Sequence, residues 1–213
     1  MGYQDLVAFP KRDLKAHKYT AGALGLLVGS ETYPGAAILA CQAAFRSGAG
    51  LVFVFSSPAI KEMLIKACPD VIFCALDYDS EGMLTPKAFH QLCDGIERYK
   101  LKLLAIGSGL AKQDASILLE GICYCLDNSA IPILLDADAL QASLGPFLRQ
   151  DVRAKRILIT PHLGEFNRVF QERVSEENRY QALQTGEFRC SILLKGAPTY
   201  VYARKSCWQN PTG

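Results

Sequence analysis

Along the chain, short aliphatic and β-branched runs alternate with longer stretches whose apolar positions recur at helical spacing. The short runs predict strands at Ala23–Val28, Leu51–Phe55, Val71–Leu76, Leu101–Ile106, Ile131–Leu135, Arg156–Ile159, Ser191–Lys195 and Tyr200–Ala203. Several are apolar on both faces, as suits a parallel sheet covered on each side. Helical patterns lie at about Gly35–Ser47, Pro58–Lys66, Thr85–Tyr99, Gln113–Asp127 and Ser175–Phe188. This alternation predicts a right-handed βαβ series, hence an α/β fold: a doubly wound three-layer α/β/α sandwich with a mostly parallel central sheet. No repeat, low-complexity tract or linker divides the 213 residues, so a single domain over residues 1–213 is expected.

Composition narrows the classes of partner. Half of the residues are apolar (50%), 21% are charged, and the formal net charge is +2, as in soluble globular proteins. Basic residues are scattered, with runs no longer than pairs such as Lys11-Arg12, so a nucleic-acid surface is not expected. Apolar runs are broken by Gly, Pro or charge well before the roughly 20 residues of a membrane span. Residues Met1 to Pro10 lack the basic start and apolar stretch of a signal peptide. A cytoplasmic location without membrane contact is therefore expected. The eight cysteines sit in apolar or helical surroundings, and Cys123 and Cys125 face different sides of a helical pattern. No Cys or His stands at zinc-ligand spacing, so reduced structural thiols and no resident metal are expected.

Ligand sites in open parallel sheets form beyond the carboxyl ends of strands, and here those positions are rich in Gly, Asp, His and Lys. After the first strand, Tyr33-Pro34-Gly35-Ala36-Ala37 opens a helix. Its small residues let an anion approach free N–H groups, although close helix–sheet packing explains them as well. Gly107-Ser108-Gly109-Leu110 is a turn able to bring amides close to a phosphate or sugar, yet it is neither a Walker A loop nor the dinucleotide fingerprint. In Asp136-Ala137-Asp138, Asp138 reads as a helix cap, whereas Asp136 ends an apolar strand and calls for a partner. Thr160-Pro161-His162-Leu163-Gly164-Glu165 sets His162 on a turn and Glu165 in the first turn of a following helix. His162 is there either a proton carrier or donor to substrate, or a packed turn residue. Lys195-Gly196-Ala197-Pro198-Thr199 follows a buried strand; its Lys either reaches a phosphate or is solvated on a hairpin.

In their order, these segments resemble the ADP- or ATP-dependent NAD(P)H-hydrate dehydratases of the ribokinase-like superfamily. The matching pieces are His17-Lys18, Tyr33 to Ala37, Ser47 to Val52, Gly107 to Leu110, Leu135 to Leu140, Thr160 to Glu165, Leu194 to Ala197 and Asn210-Pro211-Thr212-Gly213. The resemblance implies repair of the S-epimer of hydrated NADH or NADPH (NAD(P)HX). A phosphate passes from ADP or ATP to the hydroxyl at C6 of the hydrated ring, then leaves as the double bond is restored. It implies that Gly35, Ala36, Gly109 and His162 bind the hydrate and that Lys195, Gly196, Ala197, Pro198 and Thr199 bind the nucleotide. Asp136 and Glu165 have supporting roles, and Mg²⁺ accompanies the phosphates. Homo-oligomeric assembly is expected of the complete protein.

Two departures stand out. Lys18 is followed by Tyr19-Thr20-Ala21-Gly22 rather than a Gly-rich stretch. In the family, N-P-T-G also continues into G-G-[ST]-G-D, which supplies an anion hole and the aspartate that takes the hydroxyl proton. That expected catalytic Asp lies beyond Gly213, so the domain reads as C-terminally incomplete and no catalytic residue is assigned within it. Losing the base costs about 10²–10⁴-fold, and losing the oxyanion donors roughly another 10²–10³-fold. These residues alone are expected to be inactive, with apolar sheet surface left open. The alternatives are a non-catalytic nucleotide-binding remnant and a ribokinase-like vitamin or sugar kinase.

Overall fold

The computed structural model describes residues 21–211. Among them the strands are β1 (Ala23–Leu27), β2 (Leu51–Ser56), β3 (Ile72–Ala75), β4 (Leu103–Ile106), β5 (Ile133–Leu135), β6 (Ile157–Ile159), β7 (Ser191–Leu194), β8 (Thr199–Ala203) and β9 (Ser206–Asn210). The helices are α1 (Pro34–Arg46), α2 (Lys61–Ala67), α3 (Pro86–Arg98), α4 (Ala115–Asn128), α5 (Leu144–Gln150), α6 (Leu163–Phe170) and α7 (Arg179–Thr185). The nine strands form one sheet in the order β3-β2-β1-β4-β5-β6-β7-β8-β9. Pairing is parallel from β3 through β7 and antiparallel for β8 and β9. The predicted mostly parallel α/β sheet is the observed one. His17-Lys18, and the Thr212-Gly213 end of the last matching piece, lie outside the described residues.

The apolar alternation assigns the helices to faces. α1, α2 and the turn before α2 cover β1 and β2 on one side through Ala37, Cys41, Leu64 and Ile60 against Val52 and Val54. On the other side Phe89, Leu92, Leu118, Ile122, Leu148 and Phe166 build a larger core with Leu27, Phe55, Leu104 and Leu135. β2 is consequently buried along almost its whole length, whereas β5, β6 and β7 alternate. Leu134, Leu158 and Leu193, facing away from the larger core, are only half-buried. Among the described residues no helix is long and apolar enough to cross a membrane.

Several boundaries depart from the expected ones for local reasons. The helix expected from Gln113 starts at Ala115, because the Asp114 carboxylate accepts from the N–H groups of Ser116 and Ile117 at 2.8 and 3.0 Å. Gln113 instead turns inward to Leu84 and Leu110. The last expected helix shrinks from Ser175–Phe188 to Arg179–Thr185, with Gly186 at its end. α5 was not among the expected helices; its Pro146 falls in the first turn, where the missing N–H has no partner to lose. β9 was also unexpected. Its hairpin turn uses Arg204 and Lys205 at φ 51° and 63°, a left-handed pair normally signalled by Asn or Gly. All eight cysteines are free, and the Cys93 and Cys125 Sγ atoms meet at 3.4 Å between α3 and α4.

Candidate functional site

Because the central strands run in parallel, the residues that follow them collect at one edge. The hydrogen-bond ladder continues past the strands and stitches these residues together. Gly107 N–H donates to Leu27 O, Asp136 N–H to Ile106 O, Thr160 N–H to Leu135 O and Lys195 N–H to Pro161 O, all between 2.8 and 3.1 Å. The strand order reverses between β1 and β4, the position where open α/β sheets offer a crevice. There Gly29 N–H donates to Ser108 O at 2.9 Å.

The first centre lies at this reversal. Gly109 adopts φ +72°, and a Cβ on it would come within 2.5 Å of the Ala36 Cβ and 3.0 Å of the Tyr33 carbonyl. Gly109 and Ala36, paired only by resemblance in the sequence, are thus neighbours. Gly35 beside them faces open space, so packing does not explain its lack of a side chain. Packing does explain Ala37, which is fully buried against Gly29. A cleft of about 480 Å³ borders this centre, lined among others by Ser30, Thr32, Tyr78, Asp79 and Lys112. No motif marked these residues, because they come from three separate loops.

The second centre is built around Asp136. Its Oδ1 accepts from Lys195 Nζ and Thr160 Oγ1, both at 2.8 Å, and its Oδ2 accepts from Ser108 Oγ at 3.3 Å. Burial pushes the Asp136 pKa up, but the hydrogen bonds from Lys195 and Thr160, the Lys195 charge and the Ser108 bond outweigh it. The carboxyl is held below its ordinary value. The charge at this buried strand end therefore has its partner, and Lys195, 42% exposed at the β7–β8 turn, is held in an ion pair rather than left free. Lys195 Nζ also lies 3.8 Å from Glu165 Oε2. Asp138 does not cap a helix as expected; its carboxylate accepts from Ala111 N–H at 3.0 Å and ties down the glycine turn.

His162 and Glu165 form a reciprocal cap on α6. His162 Nδ1 accepts from the N–H groups of Gly164 and Glu165 at 3.0 and 3.3 Å, while Glu165 Oε2 accepts from His162 N–H at 2.8 Å. An accepting Nδ1 places the proton of the neutral ring on Nε2, which stands 3.5 Å from Glu165 Oε1. The imidazole is 61% exposed at this edge, with Nε2 beside the Glu165 carboxylate. The turn reading of His162 is the one this geometry shows. Beyond Lys195, Thr199 Oγ1 donates to Gly196 O at 2.8 Å and closes the turn, leaving Gly196 and Ala197 exposed. Among the described residues no three His, Cys, Asp or Glu side chains gather as a metal cage. Ser108 and Thr160 join the two centres through Asp136, a role that only their geometry reveals.

A family model described as NAD(P)H-hydrate dehydratase matches residues 24–213. The chain belongs to this family. The bifunctional NAD(P)H-hydrate repair enzyme of Synechocystis sp. is 34% identical over 197 residues, which cover 89% of this chain and 35% of that protein. The ADP/ATP-dependent NAD(P)H-hydrate dehydratase of Bacillus subtilis, crystallised with ATP and Mg²⁺, superposes with a TM-score of 0.69 at 28% identity, over 96% of this chain and 69% of its own. A ribokinase-like superfamily protein from Enterococcus faecalis V583 superposes at 0.70 with 21% identity, over 94% of this chain and 66% of its own. The fold is ribokinase-like. The chain spans about a third of the bifunctional relative's length and about two thirds of the B. subtilis chain.

Proposed function

We propose that this chain forms the hydrate and nucleotide walls of an ADP- or ATP-dependent dehydratase, a carbon–oxygen lyase that returns the S-epimer of NAD(P)HX to NADH or NADPH. The observation that carries the reading is the bridge Ser108–Asp136–Lys195. It joins the Gly109–Ala36 centre to the Lys195–Thr199 turn along one sheet edge. Gly35 faces open space beside the packed Gly109–Ala36 pair, a surface a flat ring can lie against, and His162 Nε2 lies at the same edge as a donor. Lys195, Gly196, Ala197, Pro198 and Thr199 receive the nucleotide, with Asp136 fixing the ammonium and Glu165 fixing His162. The hydrate's hydroxyl oxygen attacks the terminal phosphorus as the bond from that phosphorus to the bridging oxygen breaks, so that AMP leaves from ADP or ADP from ATP and the hydroxyl proton is released. The C6 phosphate ester then loses inorganic phosphate from C6 and a proton from the neighbouring C5, which restores the ring double bond.

Mg²⁺ fits here as an ion carried by the nucleotide's own oxygens, since Asp136 and Glu165 are already engaged by donors. When bound it neutralises charge on the transferring phosphate.

Calorimetric titration of the chain with NADHX, ADP and ATP tests the walls. Recovery of the reduced-nicotinamide absorbance from NADHX plus nucleotide tests turnover. Saturable binding of both ligands is expected. A folded chain that binds neither hydrate nor nucleotide would refute the assignment.

A further inference from the structure

The acidic partners of Lys195 leave an electrostatic gap in the nucleotide site. Its one ammonium faces two carboxylates, Asp136 at 2.8 Å and Glu165 at 3.8 Å, so this cluster carries a negative charge in excess. An incoming polyphosphate meets like charge on that side of the Lys195–Thr199 turn. Against Gly196 of the same turn lies Arg179, the first residue of α7, only 3% exposed.

Three features bind Arg179 to the turn. A Cβ on Gly196 would fall 2.0 Å from Arg179 Nη1 and 3.0 Å from its Cζ, so the guanidinium lies directly against the glycine backbone. The guanidinium carbon sits 5.1 Å from the centre of the Tyr200 ring, in the strand that follows the turn. Among the described residues its Nε and Nη1 atoms find no hydrogen-bond partner. Nη1 does lie 2.8 Å from Glu176 Oε2, an ion pair outside hydrogen-bonding alignment, and the Glu176 side chain is 66% exposed and so screened by water. A buried cation whose one carboxylate partner is exposed and solvated keeps part of its field uncancelled. That field acts through Gly196 on whatever occupies the turn.

We propose that Arg179 is the second cation of the nucleotide's phosphate subsite, a positioning residue acting from beneath Gly196 on the charge of a nucleoside di- or triphosphate. The inference rests on the nucleotide reading of Lys195–Thr199. It predicts that Arg179 matters in proportion to phosphate charge, whereas a purely structural support of the turn would affect every adenine ligand alike.

The test is calorimetric titration of the full chain with adenosine, ADP and ATP at constant Mg²⁺. Arg179→Met should weaken ADP and ATP by about tenfold relative to adenosine, and Arg179→Lys should recover part of that loss. Glu176→Gln alters an exposed residue and so spares the fold; it should tighten ADP roughly twofold and leave adenosine unchanged. Equal factors for adenosine and ADP in these variants would overturn the inference. So would ADP binding that weakens on Lys195→Ala but ignores both Arg179→Met and Glu176→Gln, and that result leaves the nucleotide reading standing. Absence of ADP binding by the unaltered chain overturns both.

Discussion

Replacing Gly109 by Ala probes the closest contact of the centre proposed to take the hydrate. At φ +72° an alanine adopts the left-handed region at a cost of about 1–2 kcal/mol. Its methyl would lie 2.5 Å from the Ala36 Cβ and 3.0 Å from the Tyr33 carbonyl, so the first turn of α1 must move away from the glycine turn. Overpacking of this kind costs about 1–3 kcal/mol, giving a total loss of roughly 2–5 kcal/mol. Ala36→Gly removes the nearer of the two obstacles and alone costs up to about 1 kcal/mol of helix propensity. In a double-mutant cycle read by urea unfolding, the pair should therefore be more stable than the sum of the single effects by about 1–2 kcal/mol. The same cycle read by NADHX titration should show weaker binding in both single variants, because each changes the gap the ring enters. Additive stabilities within about 0.3 kcal/mol would show that Gly109 and Ala36 do not press on one another. The structural basis for proposing a hydrate centre there would then fall.

Other consequences are open to simpler measurements. Lys195→Ala should weaken nucleotide by about tenfold and leave hydrate affinity nearly unchanged; equal losses in titrations of both ligands would contradict its assignment. His162→Ala removes the acceptor that caps α6 and should cost about 0.5–2 kcal/mol in chemical denaturation, whereas His162→Asn should retain most of the cap but lose the Nε2 donor and with it hydrate affinity. The folded-state pKa of Asp136 is depressed, so its contribution to stability is complete above the ordinary carboxylate value of about 3.9 and disappears as pH falls through the lower folded value. Asp136→Asn should lower stability near neutrality and flatten the acid limb of a pH–stability curve; an unchanged acid limb would show that the bridge carries no linkage.

Much of the architecture follows from the chain's own alternation, since apolar runs of strand length between helical periods admit few solutions besides a covered parallel sheet. That arrangement also fixes which residues matter: once strands run in parallel, Gly107, Asp136, Thr160 and Lys195 must share an edge. The order of their motifs was enough to reach the family. Local sequence was less informative where the energy is local but unusual. The Arg204-Lys205 hairpin uses left-handed residues without Asn or Gly, and α5 starts through a Gly-Pro pair.

Tertiary structure alone decided the partners of charge. Asp136 and Lys195 are 59 positions apart, and their 2.8 Å contact depends on the order in which β5, β6 and β7 pair. The choice between cap and ligand likewise depended on three dimensions. Asp138, expected to cap, reaches sideways to Ala111, and His162, whose sequence context left cap and ligand both open, caps α6 through Nδ1. Arg179 shows the limit most plainly. As one polar residue in a helical pattern it carries no signal, and only its burial against Gly196 and Tyr200 brings it into the site. Periodicity reports which face of an element meets the core; which side chains meet across separate loops is set by packing among elements far apart in the chain.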